Sequence, residues 1–414
     1  MSNIKLILSL TICILTFNYI SFSSANESGD KNVIPEHYYY EVGNKIQLSG
    51  GVVNYDLKQM SDEGPIVLCL HCFMGTISDC SAISKALAAE GFRSLRFDFY
   101  GHGLSDIKNF GKYTIDDYVE QTVEILEKLG LYNITAVDEL EIHSEYFDPQ
   151  LYIIGTSLGG FVGMRFAERF SKHINKLVLD APPGLLKKKV GSMLRYSFIN
   201  YPLQLFANIY APTWLCSKIM NPLTENSKSP KLDFRAKHYC KQIILTALQV
   251  FLGTDLWGNA KIYHKFGLSN VNTLFFWGTE DKLCPLSSSI VILNEYVPNA
   301  GIIVYEDCGH RCLKYCKEQF IKDVIKYFKD EFISELSTIS DYYKTIEYKL
   351  LPTSKTTKET TGVRGSQLEP STSEYNICGS PETLNSKVIK LAADYEDADS
   401  DVSTNDGDEA CKIH

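Results

Sequence analysis

Apolar and polar positions along the chain follow two rhythms. Runs such as Pro65–His71 (PIVLCLH), Arg93–Phe99 (RSLRFDF), Leu151–Gly155 (LYIIG), Lys176–Ala181 (KLVLDA), Thr273–Gly278 (TLFFWG) and Gly301–Asp307 (GIIVYED) are short and almost wholly apolar at their centres. That is the pattern of strands buried on both faces. Between them apolar residues recur at helical spacing. Asp79–Phe92 reads as a helix stopped by Gly91. Thr114 is an N-cap with Asp117 following it; Ile115, Tyr118, Val119, Thr122, Ile125, Leu126 and Leu129 make one face, and Gly130 ends the helix. Buried strands alternating with helices predict an α/β fold: a mostly parallel central sheet with helices on both faces.

The rhythm fails in three places. The chain from residue 185 to 269 lacks strand runs and is rich in large apolar groups, among them Met193, Tyr196, Phe198, Trp214 and Trp257. It reads as a helical cap inserted after the sixth core strand, between core segments 26–184 and 270–337. Residues 338–414 become polar, then acidic, and predict a largely disordered tail from Pro352 onward. Residues 1–25 carry Lys5, an apolar run from Ile7 to Phe22 and the small residues Ser23, Ser24 and Ala25. That predicts a signal peptide, with an uncleaved signal anchor as the alternative. The expected location is the secretory pathway, secreted or lumenal. The sequons at Asn26 and Asn133 fit a glycoprotein on that route.

Composition narrows the partners. The 414 residues carry a formal net charge of −9, and Lys187–Lys189 is the one tight basic run, so nucleic acid is not an expected partner. Twelve cysteines are scattered through the chain rather than packed into a small scaffold. A few disulfides are plausible in an oxidising compartment, with pairing unreadable.

The chemistry centres on LYIIGTSLGGFVG. Gly155-Thr156-Ser157-Leu158-Gly159 follows a predicted strand and opens a predicted helix. That is the context of a nucleophile elbow, in which glycines admit a tight turn that lifts the serine above the sheet. Ser157 then needs a base, and the base an acid, in the chain order Ser, Asp or Glu, His. Asp281 and His310 each follow a strand, on the rim where Ser157 stands. Asp180, at another strand end, competes for the acid role, ahead of Glu280 and Asp307. His71 and His102 are rival bases, though both precede Ser157. The run CGHRCLKYC invites a metal reading from Cys308, His310, Cys312 and Cys316, but no second ligand cluster accompanies it. No metal and no cofactor are expected. Cys316 reads as a core residue of the last helix. Cys308 and Cys312 bracket His310, where a disulfide or oxidation would disturb its loop.

With these residues in order, the chain resembles the α/β-hydrolase superfamily, above all its monoglyceride-lipase-like and prolyl-iminopeptidase-like serine hydrolases. LHCFMG (Leu70–Gly75) is similar to the family's oxyanion loop, and FDFYGHGLSD (Phe97–Asp106) to the glycine-rich turn after the next strand. The resemblance implies an oxyanion hole made by the backbone N–H groups of Phe73 and Leu158. It departs at Cys72, where the family usually has glycine; the β-carbon restricts φ and puts the loop geometry in question. Cys72 as an alternative nucleophile has no assigned base.

The expected function is a serine hydrolase acting on a small-molecule carboxylic ester. The apolar cap favours an apolar acyl chain, as in a monoacylglycerol or lysolipid, with transient membrane-surface contact through the cap. The alternatives are an aminopeptidase or amidase, an acyltransferase using the same residues, and a non-catalytic binding protein. The oligomeric state is not legible.

Overall fold

The computed structural model describes residues 41–134, 151–183, 190–210, 230–256, 260–331 and 336–350. The expected signal peptide, the lysine run and residues 351–414 of the expected tail lie outside them. The chain divides into units Met1–Tyr343 and Lys344–His414. The fold below is that of the first; of the second, the described residues are the end of one helix.

In chain order the strands are β1 (Asn44–Leu48), β2 (Gly51–Lys58) and β3 (Ile66–Leu70). Helix α1 (Ser81–Ala89), β4 (Arg93–Phe97), α2 (Ile115–Lys128), β5 (Leu151–Thr156), α3 (Leu158–Phe170) and β6 (Ile174–Asp180) follow. Then come α4 (Ser197–Tyr210), α5 (Pro230–Gly253), α6 (Ala260–Leu268), β7 (Thr273–Gly278), α7 (Leu286–Tyr296) and β8 (Gly301–Tyr305). The last helices are α8 (Cys312–Tyr315), α9 (Lys317–Phe328) and α10 (Ile339–Leu350).

The sheet runs β1-β2-β4-β3-β5-β6-β7-β8. It is parallel from β4 to β8, and β1 and β2 add an antiparallel edge. Leu95, Leu68, Ile153 and Leu177 lie side by side across neighbouring strands, and none is exposed. On one face Val67, Cys69, Ile154, Val178 and Phe276 pack with Ile83 and Leu87 of α1 and with Phe320, Val324 and Phe328 of α9. Burying each such aromatic or branched side chain is worth roughly 1.5–3 kcal/mol, which is why the strands read so plainly in the sequence. From β3 the chain steps outward to β4 and returns across β3 to β5. At such a reversal the loops after neighbouring strands diverge, and a crevice opens at their carboxyl ends.

The six predicted strands are present, some shortened. His71, Asp98 and Phe99 leave the sheet to build loops. The hairpin β1–β2 went unforeseen because its antiparallel strands mix polar residues into NKIQL and GVVNYDLK. Helix α2 begins at the foreseen cap: Thr114 accepts from Asp117 N–H, and the Asp117 carboxylate accepts from Thr114 N–H.

The insertion between β6 and β7 holds α4, α5 and α6. Helix α4 packs on α5, whereas α6 packs on α3 and α7 beside the sheet. Polar side chains tie α4 and α5 to the loop after β4. Thr246 donates to Gly101 O (2.6 Å), Gln249 to Lys108 O (2.7 Å) and Gln204 to Gly111 O (2.7 Å).

The expected tail needs one correction at its start. Ile302 N–H donates to Ser337 O and Ile339 N–H to Ala300 O, Ile339 is fully buried, and α10 follows. The missed signal was a cap: Asp341 N–H donates to Thr338 Oγ1, and the threonine hydroxyl donates back to the Asp341 carboxylate.

Candidate active site

Ser157 stands between β5 and α3 with φ 51° and ψ −116°. Left-handed backbone at a non-glycine residue costs of order 1–3 kcal/mol and persists only where the surroundings fix it. Here Ser157 N–H donates to Asp180 O (2.8 Å), and Ser157 O accepts from Phe161 N–H (3.0 Å). The glycines allow the approach. A β-carbon on Gly155 would lie 2.4 Å from Gly159 O, and one on Gly159 would lie 2.2 Å from Leu70 O.

His310 sits in the loop after β8. Its Nε2 is 2.9 Å from Ser157 Oγ, and its Nδ1 is 2.8 Å from Asp281 Oδ2. The other Asp281 oxygen accepts N–H bonds from Leu283 (2.9 Å) and Cys284 (2.8 Å). An ionised carboxylate only accepts, so Nδ1 carries the proton and Nε2 is left to accept from the serine hydroxyl. The three groups form one chain of hydrogen bonds; Ser157 (7% exposed) and Asp281 (4%) are buried, and the His310 side chain is 15% exposed.

The rivals stand elsewhere. Glu280 and Asp307 are exposed. Asp180 is fully buried, and its carboxylate accepts from Cys312 N–H (3.0 Å), Leu313 N–H (3.3 Å) and the Thr156 hydroxyl (3.3 Å). Burial raises its pKa, and the N–H bonds oppose that rise. Asp180 therefore holds the start of α8, directly after His310. The sequence offered it only as a competing acid; its role as a tether was not foreseen.

His71 and His102 shape the neighbouring wall. His71 Nε2 accepts from Phe99 N–H (3.0 Å), so Nδ1 donates to Cys72 O (2.8 Å). Burial pushes His71 down to about 4 and His102 to about 3, so both are neutral at neutral pH. Their tautomers serve the loops and neither contacts Ser157 Oγ.

The Cys72 question resolves on the backbone. Among the described residues the left-handed non-glycine of this loop is Met74 (φ 60°), not Cys72. Gly75 N–H closes the turn onto Cys72 O (2.9 Å). A β-carbon at Cys72 therefore imposes no left-handed strain there. Burial raises the Cys72 thiol to about 11, which keeps it protonated. The ring of Phe73 packs 5.4 Å from that of Phe251 on α5, so the insertion reaches this loop. Leu158 opens α3, where the first N–H groups of a helix lack partners within it.

The cysteines around His310 pair differently from the sequence expectation. Cys308 and Cys316 form the disulfide, and Cys312 is a free, buried thiol. One turn of α8 brings Cys316 back toward Cys308, with Cys316 N–H bonded to Cys312 O. Cys316 is thus half of a cross-link that encloses His310, as well as a neighbour of the core. With two of its four groups bonded to each other, the metal reading loses its ligand set.

The comparisons with known proteins agree with this architecture. The family described as serine aminopeptidase, S33 (Hydrolase_4), matches residues 62–315. The proline iminopeptidase of Thermoplasma volcanium is 18% identical over 69% of this chain and 95% of its own. Proline iminopeptidase PfmaB of Pestalotiopsis fici is 22% identical over 64% of this chain and 92% of its own. Among solved structures, a thermophilic esterase from Thermogutta terrifontis superposes with a TM-score of 0.50 at 16% identity, covering 69% of this chain and 98% of that one. A mostly parallel sheet with a strained serine at the end of β5, together with the match over residues 62–315, assigns the chain to the serine aminopeptidase family of α/β-hydrolases.

Proposed function

We propose that this hydrolase cleaves a carboxylic ester through an acyl-enzyme on Ser157, with an apolar acyl group like that of a monoacylglycerol or lysolipid. The hydrogen-bonded chain from Ser157 through His310 to Asp281 carries the reading. As His310 Nε2 takes the hydroxyl proton, Ser157 Oγ attacks the carbonyl carbon. Asp281 stabilises the imidazolium that forms. The N–H groups of Phe73 and Leu158 receive the oxyanion. Collapse expels the alcohol, which takes the proton from His310. Water then attacks the acyl-enzyme by the same route and frees the acid and Ser157.

The ester reading over an amine-directed one rests on the insertion. Of its two described carboxylates, Asp233 lies in the first turn of α5 and Asp255 is exposed, whereas Leu248 and Phe251 of α5 are buried. An aminopeptidase must bind a free amine, and carboxylates do that best. The second reading is nevertheless an aminopeptidase of the proline iminopeptidase type, favoured by the family match and the two relatives. Phe198, Leu205 and Phe206 of α4 are exposed, which supports transient contact with an apolar surface. The Cys308–Cys316 disulfide supports a secretory location.

A fluorophosphonate probe is expected to label the protein at Ser157 and to leave Ser157→Ala unlabelled. Retained labelling of that variant overturns the nucleophile. Turnover of p-nitrophenyl esters of increasing chain length, beside prolyl and other aminoacyl amides, separates the two readings. Faster cleavage of the amides overturns the ester.

A further inference from the structure

Two loops must keep register for the proposed reaction. One holds Phe73, after β3; the other holds His310, after β8. They belong to strands separated in the sheet by β5, β6 and β7. One side chain spans them. Arg311 Nη1 donates to Cys72 Sγ at 3.2 Å, across 239 residues of sequence, and lies 3.9 Å from Asp79 Oδ1. The protonated Cys72 thiol donates in turn to Asp79 Oδ2 at 3.6 Å. Asp79 Oδ2 also accepts from Thr76 N–H (3.3 Å), which fixes the far end of the same loop. Guanidinium, thiol and carboxylate thus form a closed cluster, with Phe73 directly after Cys72 and His310 directly before Arg311.

The cluster is confined. Cys72 is 4% exposed, and the Arg311 and Asp79 side chains are 17% and 18% exposed. Nearby Lys314 is pushed down to about 8, first by burial and then by the Arg311 charge. A guanidinium cannot shed its proton to relieve that crowding, so it stays charged and needs its acceptors. Glycine at position 72, as in the family pattern, would remove the nearer acceptor and leave the carboxylate at 3.9 Å.

We propose that Arg311 is a positioning residue: by clasping the Cys72 thiol and the Asp79 carboxylate, it locks the loop carrying the Phe73 N–H to the loop carrying His310. The proposal rests on the acyl-enzyme reading above. Arg311 does not touch the reacting atoms. It keeps the oxyanion donor and the base at one separation, where misplacement by about 1 Å can lower a rate by roughly a hundredfold.

The test is a cycle of Arg311→Gln, Cys72→Ala and the double variant, read by ester kinetics and by the rate of fluorophosphonate labelling of folded protein. Each single variant is expected to lower kcat by about tenfold with KM nearly unchanged. The double variant is expected to fall no further than the worse single one, because both remove one clasp. Cys72→Ser, which keeps a donor and acceptor, is expected to recover most of the rate. Arg311→Lys, which keeps the charge but loses the planar fork, serves where Arg311→Gln fails to fold, and is expected to remain slow. Additive losses, a rise in KM at constant kcat, or variants as fast as the parent overturn the proposal. If the parent itself is not labelled at Ser157, the acyl-enzyme reading fails instead.

Discussion

The elbow that presents Ser157 and the loop that presents His310 solve the same problem by opposite means. The elbow is held by backbone. Its glycines lie within a few residues of the serine, its hydrogen bonds run to the neighbouring strand, and its strain is local. The histidine loop is held by side chains that arrive from far along the chain. The Asp180 carboxylate grips Cys312 and Leu313, Arg311 reaches Cys72, and a disulfide closes residues 308–316 on themselves. Backbone contact at Glu280 N–H to Cys308 O adds one tie to the loop that carries Asp281. A motif built from near neighbours tolerates almost no change at a few places. A loop built from distant ties fails by degrees.

The sharpest way to break that contrast is Gly159→Ala. Its β-carbon would meet Leu70 O at 2.2 Å, a backbone atom that cannot swing aside. Overpacking of this kind costs about 1–3 kcal/mol, and the elbow must shift to relieve it. The expected outcome is loss of fluorophosphonate labelling by at least about a hundredfold, together with a lower Tm. Near-normal labelling would mean the elbow is less rigid than its geometry implies.

This division also explains what the sequence disclosed. Ser157 was legible because G-x-S-x-G between a strand and a helix needs only local context. Asp281 and His310 were legible from chain order and from their places after apolar runs. The Cys308–Cys316 pairing was not, since it depends on α8 turning within the loop. Asp180 was seen as a carboxylate at a strand end, and nothing in its sequence neighbourhood pointed to the amides of Cys312 and Leu313. The β1–β2 hairpin escaped because its antiparallel strands lack the apolar run that marks the parallel ones. Helix α10 escaped because polar composition outweighed the cap formed by Thr338 and Asp341.

Removing one side-chain tie at a time tests the second half of the contrast. Asp180→Ala leaves two buried N–H groups without their acceptor, at about 1–3 kcal/mol each. It is expected to lower Tm clearly and to slow labelling of Ser157, while Asp180→Asn, which keeps one carbonyl oxygen, loses less. Cutting the disulfide should do less than Asp180→Ala. Closing so short a loop is worth up to roughly 2–3 kcal/mol in the chain-entropy account, and the other ties remain. Cys308→Ser with Cys316→Ser is expected to keep partial activity and to become insensitive to reductant, whereas the parent slows on reduction. A reduced parent as fast as the oxidised one would show that the ring of residues 308–316 does not depend on its cross-link.

The smallest effect concerns the wall both regions lean on. His71 and His102 are buried with pKa values lowered from 6.5 to about 4 and about 3. The unfolded chain therefore takes up protons first as pH falls. The stability these residues contribute is complete above 6.5 and is lost as pH drops toward 4. Asp98 acts in the opposite sense: burial raises it from 3.8 to about 6, so its contribution is complete below 3.8 and lost as pH rises through 6. Between pH 4 and 6 two histidines oppose one aspartate. These groups then leave a net uptake of about one proton on unfolding, or roughly 1.4 kcal/mol per pH unit. His102→Gln removes one titrating ring and is expected to flatten the dependence of unfolding free energy on pH by about that slope. Its Tm at pH 7 should fall modestly, since the ring Nδ1 bond to Tyr100 O is lost. A slope unchanged by the substitution would mean that His102 is charged in the folded protein. The aromatic box of His71, Phe73, Phe99 and Tyr118 around it would then have to accommodate a cation. Because Phe73 belongs both to this box and to the loop that Arg311 contacts, such a charge would reach the proposed oxyanion donor as well. Acid pH would then slow labelling of Ser157 before it unfolded the chain.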